Sequence, residues 1–361
     1  MSGASLAIDG STLDARLDQA LAAIAAGAEE LDREPRFPAE AFRGLGEAGA
    51  LEATIGAARA DESVLSEWRL LRRVAAADAS VGRILDGHLN AVERLEVSAD
   101  PRLRESELAR LEGGGRLLGV WGADPGPGEG SPARLREDGA GGFTLSGAKT
   151  FCSGAGGVDA ALVMVGAEGG GPPRLALVDC AGIEIDRGWY RAAGLRASES
   201  HRVVFHDAPV IGIIGDPGEL GREPWFSRDA TRTAASWIGM LDAAAEAATA
   251  ELARARAEDP LGQLAAGRIE ALRGTADAWF LRGAEAADRR AELKPVAIAM
   301  RAEIDRAAKA LLETAAAACG SHPFVTAGAL DRARRDLETF LLQHRLDPLL
   351  ARLGAERLRA R

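Results

Sequence analysis

The glycines of this chain are not spread evenly along it. Of 43, 26 fall between Gly113 and Gly221, in less than a third of the 361 residues. Glycine costs a helix backbone entropy and favours turns, so long helices are not expected in that stretch. Both flanks are poor in glycine and rich in Ala, Leu, Glu and Arg, the residues that fill helices. The expected fold is therefore α+β in three successive zones: an N-terminal helical domain over 1–115, a middle β domain over 116–220 and a C-terminal helical bundle over 221–361. Hydrophobic residues make up 47%, enough for a sizeable core, but aromatics only 4%, so that core is expected to consist of Ala, Leu, Val and Ile.

Apolar periodicity refines each zone. Leu13, Leu17, Ala20, Leu21 and Ile24 recur at helical spacing, and Glu34 to Pro38 breaks that helix. A short helix over Ala39 to Ala48 follows, then others from about Glu62 to Ala77, Val81 to Glu96 and Pro101 to Leu111. In the middle zone the apolar residues come in short runs bounded by Gly, Pro, Asp or Ser. The runs are Leu117 to Trp121, Phe143 to Leu145, Thr150 to Cys152, Ala160 to Val165, Leu175 to Val178, Ile183 to Ile185 and Val203 to Phe205. They predict six to eight strands of an antiparallel sheet or barrel-like domain, and the lack of alternating long helices excludes a doubly wound parallel sheet. From Arg228 the helical period returns, over Arg228 to Glu258, Gly262 to Arg290 and Lys294 to Cys319, with a fourth helix from near Leu330. Four such helices predict an up-and-down bundle.

Charge and cysteine usage narrow the function classes. Lys and Arg total 44 against 54 Asp and Glu, a net charge of −10, which opposes a nucleic-acid surface. Only Lys149, Lys294 and Lys309 are lysines. Cys152, Cys180 and Cys319 are far apart and odd in number, so neither a disulfide framework nor a Cys-based metal site is expected. The first residues lack a basic start and an apolar run, and no segment reaches the roughly 20 apolar residues of a membrane span. A soluble, cytoplasmic protein is expected, without membrane or metal.

The middle-zone motifs carry more. Trp121-Gly-Ala123-Asp124-Pro-Gly126-Pro-Gly128, Gly147-Ala-Lys149-Thr-Phe151-Cys-Ser153-Gly-Ala155, Gly194-Leu-Arg196-Ala-Ser198-Glu-Ser200 with Val203 to Val210, and Asp229-Ala-Thr-Arg232 occur in that order. Together they resemble the conserved segments of the acyl-CoA dehydrogenase superfamily, and the resemblance covers about Leu13 to Gly354. It implies a flavoprotein oxidoreductase that binds FAD between the β domain and the bundle. The implied cofactor contacts are Trp121, Ala123, Asp124, Phe151, Ser153, Arg256 and Gly320, and the implied substrate contact is Arg232. It further implies a homodimer or homotetramer, because in this family a second subunit completes the flavin site.

The residues themselves allow this reading beside a plainer one. Two positions apart on a strand, Phe151 and Ser153 share a face, so a ring could cover a flavin while the hydroxyl reaches its polar edge; equally, they could be core and turn residues. Lys149 reads as a solvated or salt-bridged β residue rather than a cofactor contact. Arg232 could hold a substrate carboxylate, phosphate or thioester oxygen, or pair with Asp229.

Some family features are missing. Counting from Arg335-Asp336, the family's catalytic glutamate falls on His344, which is either a base or an ordinary helix residue. Arg335-Asp336-Leu-Glu-Thr339 to His344 is similar instead to the ending found in flavin-dependent monooxygenases of this fold. The CoA-side loop is reduced to Gly128-Glu129-Gly130, and the adenosine-contacting segments to Arg254 to Pro260 and Ala317 to His322. Three functions follow: an acyl-CoA-dehydrogenase-like enzyme oxidising a Cα–Cβ bond, a flavin-dependent monooxygenase, and a non-catalytic homologue that has lost the cofactor. No G-x-S-x-G element or P-loop context is present.

Overall fold

A computed structural model describes residues 10–56, 63–139, 141–166, 171–289, 292–326, 328–343 and 345–359. Five helices lead: α1 (Gly10–Arg33), α2 (Ala39–Glu47), α3 (Leu65–Ala77), α4 (Ala79–Ser98) and α5 (Pro101–Leu111). Seven strands follow: β1 (Leu118–Trp121), β2 (Arg134–Glu137), β3 (Phe143–Cys152), β4 (Ala160–Val165), β5 (Arg174–Asp179), β6 (Glu184–Asp186) and β7 (His201–Ile214). The chain ends in α6 (Trp225–Arg256), α7 (Pro260–Arg289), α8 (Leu293–Cys319), α9 (His322–Val325), α10 (Ala329–Leu341) and α11 (Asp347–Arg359).

Local chemistry accounts for several boundaries. Asp78 caps α4 by accepting from Val81 N at 2.9 Å. Asp100 caps α5, accepting from Arg102 N and Leu103 N, with Pro101 in the first turn where its missing N–H costs nothing.

The sheet runs β1-β4-β5-β7-β3-β2, with β6 also paired to β7. It is open, not barrel-like as expected, and β1 pairs with β4 in parallel while the remaining ladders are antiparallel. Beyond β1, a single antiparallel bridge joins Ala123 to Thr150 of β3. The apolar runs Phe143–Leu145 and Thr150–Cys152 belong to one strand, β3, whose middle is polar but continues the ladder to β7.

α6 forms the axis of the helical region, packing on α7, α8 and α10 and also on α3 from the N-terminal zone. The crossing with α3 is close: a Cβ at Gly239 would lie 2.2 Å from Arg72 O. Trp68, Trp237, Phe280 and Phe340 fill this core. α4 stands between it and the sheet, and so is buried almost all round. Among the described residues no helix is long and apolar enough to cross a membrane.

Candidate active site

Where α4, the sheet, the start of α6 and the end of α10 converge, they enclose a cavity of about 710 Å³. Phe151, Ser153 and Ser200 line it from the β domain, and Asp86 and Asn90 of α4, Asp229 and Thr233 of α6, Thr339 of α10 and Gln343 just after it line it from the helices. Phe151, Phe226 and Leu342 leave 59%, 48% and 83% of their surface exposed, and all three line this one cavity. Clustered exposed apolar side chains at a concave site mark a ligand surface.

Phe151 does not reach the cavity by regular strand alternation. It has φ +52° inside a β-bulge between Lys149 and Cys152, and its ring meets Trp189 edge-on at 4.8 Å. A bulky residue in the left-handed region costs on the order of 1–3 kcal/mol, and such strain clusters at functional sites. Ser153 lies in the turn after β3, where its Oγ is 2.9 Å from Ser200 Oγ, itself 2.7 Å from Ser198 Oγ. Trp121 is fully buried and donates from Nε1 to Ser153 O at 3.1 Å, supporting the turn from behind.

Ala123 lines the cavity, and its carbonyl accepts from Thr150 N at 3.0 Å. Asp124 is half-exposed and pairs with the fully buried Lys149 at 2.7 Å; Lys149 also donates to Gly122 O at 3.3 Å. Lys149 thereby fastens the Trp121–Gly128 loop to β3.

Arg232 does not line the cavity. It is fully buried, 2.6 Å from Glu67 Oε1, 3.0 Å from Glu93 Oε1 and 3.4 Å from Asp229 Oδ1. Burial works against its charge, but the three carboxylates outweigh that and hold its pKa above the ordinary value. Arg256 lies 24 positions further along α6, about 36 Å at 1.5 Å per residue, and pairs with Asp259 at 3.1 Å. Gly320 follows α8 beside Cys319, whose Sγ donates to Ala248 O, again far along α6. Neither faces this cavity. His344 lies outside the described residues.

Sequence reasoning did not single out Asp86, on the buried stripe of α4. Its Oδ2 accepts from Thr233 Oγ1 at 3.0 Å and from Arg83 at 3.2 Å, while Oδ1 is buried without a hydrogen-bond partner. Burial raises its carboxyl to about 6; Arg83 opposes the rise and Asp229 adds to it. Burial likewise raises the pKa of Tyr190, another cavity residue. No group of three or more His, Cys, Asp or Glu side chains among the described residues could hold a metal ion.

A flavin fits these residues. Phe151 presents an exposed ring where an isoalloxazine needs an apolar face, and Ser153 and Ser200 put hydroxyls beside it.

No protein-family profile matches the chain. It is similar to the amino sugar nitrososynthase RubN8 of Streptomyces rubradiris, with 30% identity over 267 residues, 68% of this chain but only 62% of that protein's length. Among solved structures it is similar to KijD3 in complex with FMN and dTDP-3-amino-2,3,6-trideoxy-4-keto-3-methyl-D-glucose, at 25% identity and TM-score 0.80, covering 97% of this chain and 93% of the other. It is also similar to TdsC of Paenibacillus sp. A11-2, a dibenzothiophene monooxygenase solved with FMN and indole, at 20% identity and TM-score 0.81 over 97% and 98% of the two chains. Butyryl-CoA dehydrogenase of Megasphaera elsdenii superposes with TM-score 0.83 at 18% identity over 99% and 100% of the chains. With its helices, open sheet and helices in this arrangement, the chain has the acyl-CoA dehydrogenase fold.

Proposed function

We propose that this chain is a flavin-dependent oxidoreductase that oxygenates an amine-bearing small molecule. The observation that carries the reading is one largely apolar cavity lined by the strained, exposed Phe151, the Ser153–Ser200 hydroxyl pair, Asp86 and Asp229. Likeness to RubN8 and to KijD3, whose bound sugar carries an amine, supports the substrate class. FMN is the proposed flavin, since KijD3 and TdsC hold FMN and the adenosine-contacting segments expected for FAD are eroded here.

When bound, the flavin supplies two-electron redox chemistry and, with dioxygen, an oxygen atom for transfer. The protein's share is positioning and proton handling. Phe151 would cover the apolar ring and Ser153 would donate to its polar edge. Leu195, Phe340 and Leu342 keep water from the substrate side.

Oxidation of a Cα–Cβ bond is the second reading. The cavity does contain two carboxylates, Asp86 and Asp229, and such chemistry needs a base. Anaerobic flavin reduction by a panel of acyl-CoA thioesters, set against oxygen consumption when reduced FMN and an amino sugar are supplied, separates the two. Oxygen-dependent product with the amine supports the proposal; flavin bleaching by a thioester supports the second reading; no turnover with flavin bound favours a non-catalytic homologue.

A homodimer is proposed for the assembly. Leu261, Leu264 and Leu281 of α7 are exposed apolar residues that a second subunit would cover. Sedimentation at micromolar protein tests this.

A further inference from the structure

FMN and a nucleotide-linked sugar both carry phosphate, and a phosphate monoester brings about two negative charges at neutral pH. The active-site cavity has no cation to spare for them. Arg83 is the one cationic side chain among its described lining, and it already donates to Asp86 at 3.2 Å. A second hollow, of about 770 Å³, adjoins the cavity between the α1–α2 break and the β6–β7 connection, and Tyr190 and Ala192 line both. Along that connection Leu195 and Ser200 line the cavity, while their neighbours Arg196 and Glu199 line the hollow.

The hollow is cationic after its ion pairs are counted. Arg36, Arg187, Arg191 and Arg196 line it against one carboxylate, Glu199. Arg187 pairs with Glu199, and Arg36 pairs with Glu30 just outside the lining. Asp32, whose backbone oxygen accepts from Arg196, has its carboxylate taken by Arg335 at 2.6 Å. Arg191 and Arg196 have no carboxylate within 4 Å among the described residues. With His201 neutral, four guanidiniums against Glu199 and Glu30 leave +2, in a chain whose overall charge is −10. A concave surface of that sign concentrates anions.

The two unpaired arginines are each anchored through one nitrogen. Arg191 is exposed and donates from Nε to Gly188 O at 2.9 Å, which leaves the Nη1–Nη2 edge without a protein partner among the described residues. Arg196 is half-buried and donates from Nη1 to Asp32 O, which leaves the Nε–Nη2 edge likewise. Either edge is a pair of parallel N–H donors of the kind that grips two phosphate oxygens at once. We propose that Arg191 and Arg196 form a phosphate subsite that takes the phosphate or diphosphate of a ligand held in the adjoining cavity. The identity of that ligand rests on the functional reading above: the phosphate is either the flavin's own or that of a nucleotide-linked substrate.

The test uses the full chain and two pairs of probes, FMN with riboflavin and dTDP with thymidine, each Kd being measured by calorimetry. Wild type is compared with Arg191→Gln, with the double variant Arg191→Gln/Arg196→Gln, and with Arg306→Gln, which removes an arginine of α8 that pairs with Glu303. The double variant should lose at least about tenfold in affinity for FMN, for dTDP or for both, with riboflavin and thymidine unchanged and Arg306→Gln like wild type. Loss for FMN alone assigns the subsite to the flavin's phosphate, loss for dTDP alone to the substrate's, and loss for both to either phosphate. Wild type that binds neither phosphate ligand more tightly than its unphosphorylated partner overturns the subsite. So does a double variant with both affinities intact, an equal loss in Arg306→Gln, or a parallel loss for riboflavin or thymidine. If the double variant does not fold, Arg191→Gln decides: a selective loss supports the subsite and none overturns it. Wild type that binds neither flavin would bring down the functional reading and leave the dTDP pair to decide the subsite.

Discussion

The backbone N–H of Leu195 donates to Asp336 Oδ1 at 2.6 Å, tying the Gly194–Ser200 segment behind the cavity to α10. Asp336 is buried, and that burial carries its carboxyl up to about 7, with Asp78 and Asp32 adding to the rise and the Leu195 bond opposing it. Between the ordinary value near 4 and about 7, the native chain holds this proton and the unfolded chain has released it. Stability from this group is therefore present at low pH and lost as pH rises through that window. Asp78 and Asp86, both raised to about 6, act in the same direction. Asp336→Asn keeps an oxygen for Leu195 and removes the titration, so its Tm should fall less than wild type's between pH 5 and 8. An identical slope in the variant would contradict the assignment.

Gly194 sits directly against α10. A Cβ there would lie 2.0 Å from Arg335 O and 2.3 Å from its carbonyl carbon. Neither backbone can yield without shifting α10, so Gly194→Ala should destabilise by about 1–3 kcal/mol, read by urea denaturation. FMN affinity should weaken with it, because the displaced segment carries Ser200.

Arg232 is committed to Glu67, Glu93 and Asp229 in the interior. Removing one partner of such a network leaves uncompensated buried charge, at a cost of about 3–5 kcal/mol. Arg232→Ala should thus appear mainly as lost stability in denaturation. A variant as stable as wild type but with weakened substrate binding would return Arg232 to the role of substrate contact.

Phe151 holds an unfavourable backbone conformation and leaves most of its surface exposed. If its ring serves the flavin, Phe151→Ala should lower FMN affinity by roughly tenfold or more, with little change in the Tm of the flavin-free protein. Loss of Tm with intact FMN affinity would assign Phe151 to the fold alone.

What the sequence disclosed follows its physical signals. The long helices are strongly periodic, and the observed α6, α7 and α8 begin and end within about three residues of their expected bounds, while α10 begins one residue before the expected Leu330. The glycine-rich centre does hold the sheet. Strand β2, Arg134–Glu137, was not foreseen because its RLRE run offers one apolar residue and pairs only at the sheet's edge. Openness of the sheet, with β1 parallel to β4, depends on long-range pairing that no local pattern encodes. At the site, Phe151 and Ser153 were picked out by motif, yet they reach the cavity through a bulge and a turn. Asp86 was missed because α4 carries polar residues all along its length, among them Asp86, Glu93 and Glu96, which read locally as a solvated face; their burial is set by the sheet and α6 packing on α4, which no local pattern encodes.

The central claim is that this cavity binds a flavin, and the direct measurement is a fluorescence titration of purified protein with FMN and with FAD. The account predicts saturable quenching by FMN at about one flavin per chain, tighter than for FAD and weakened in Phe151→Ala. Protein that quenches neither flavin would contradict it.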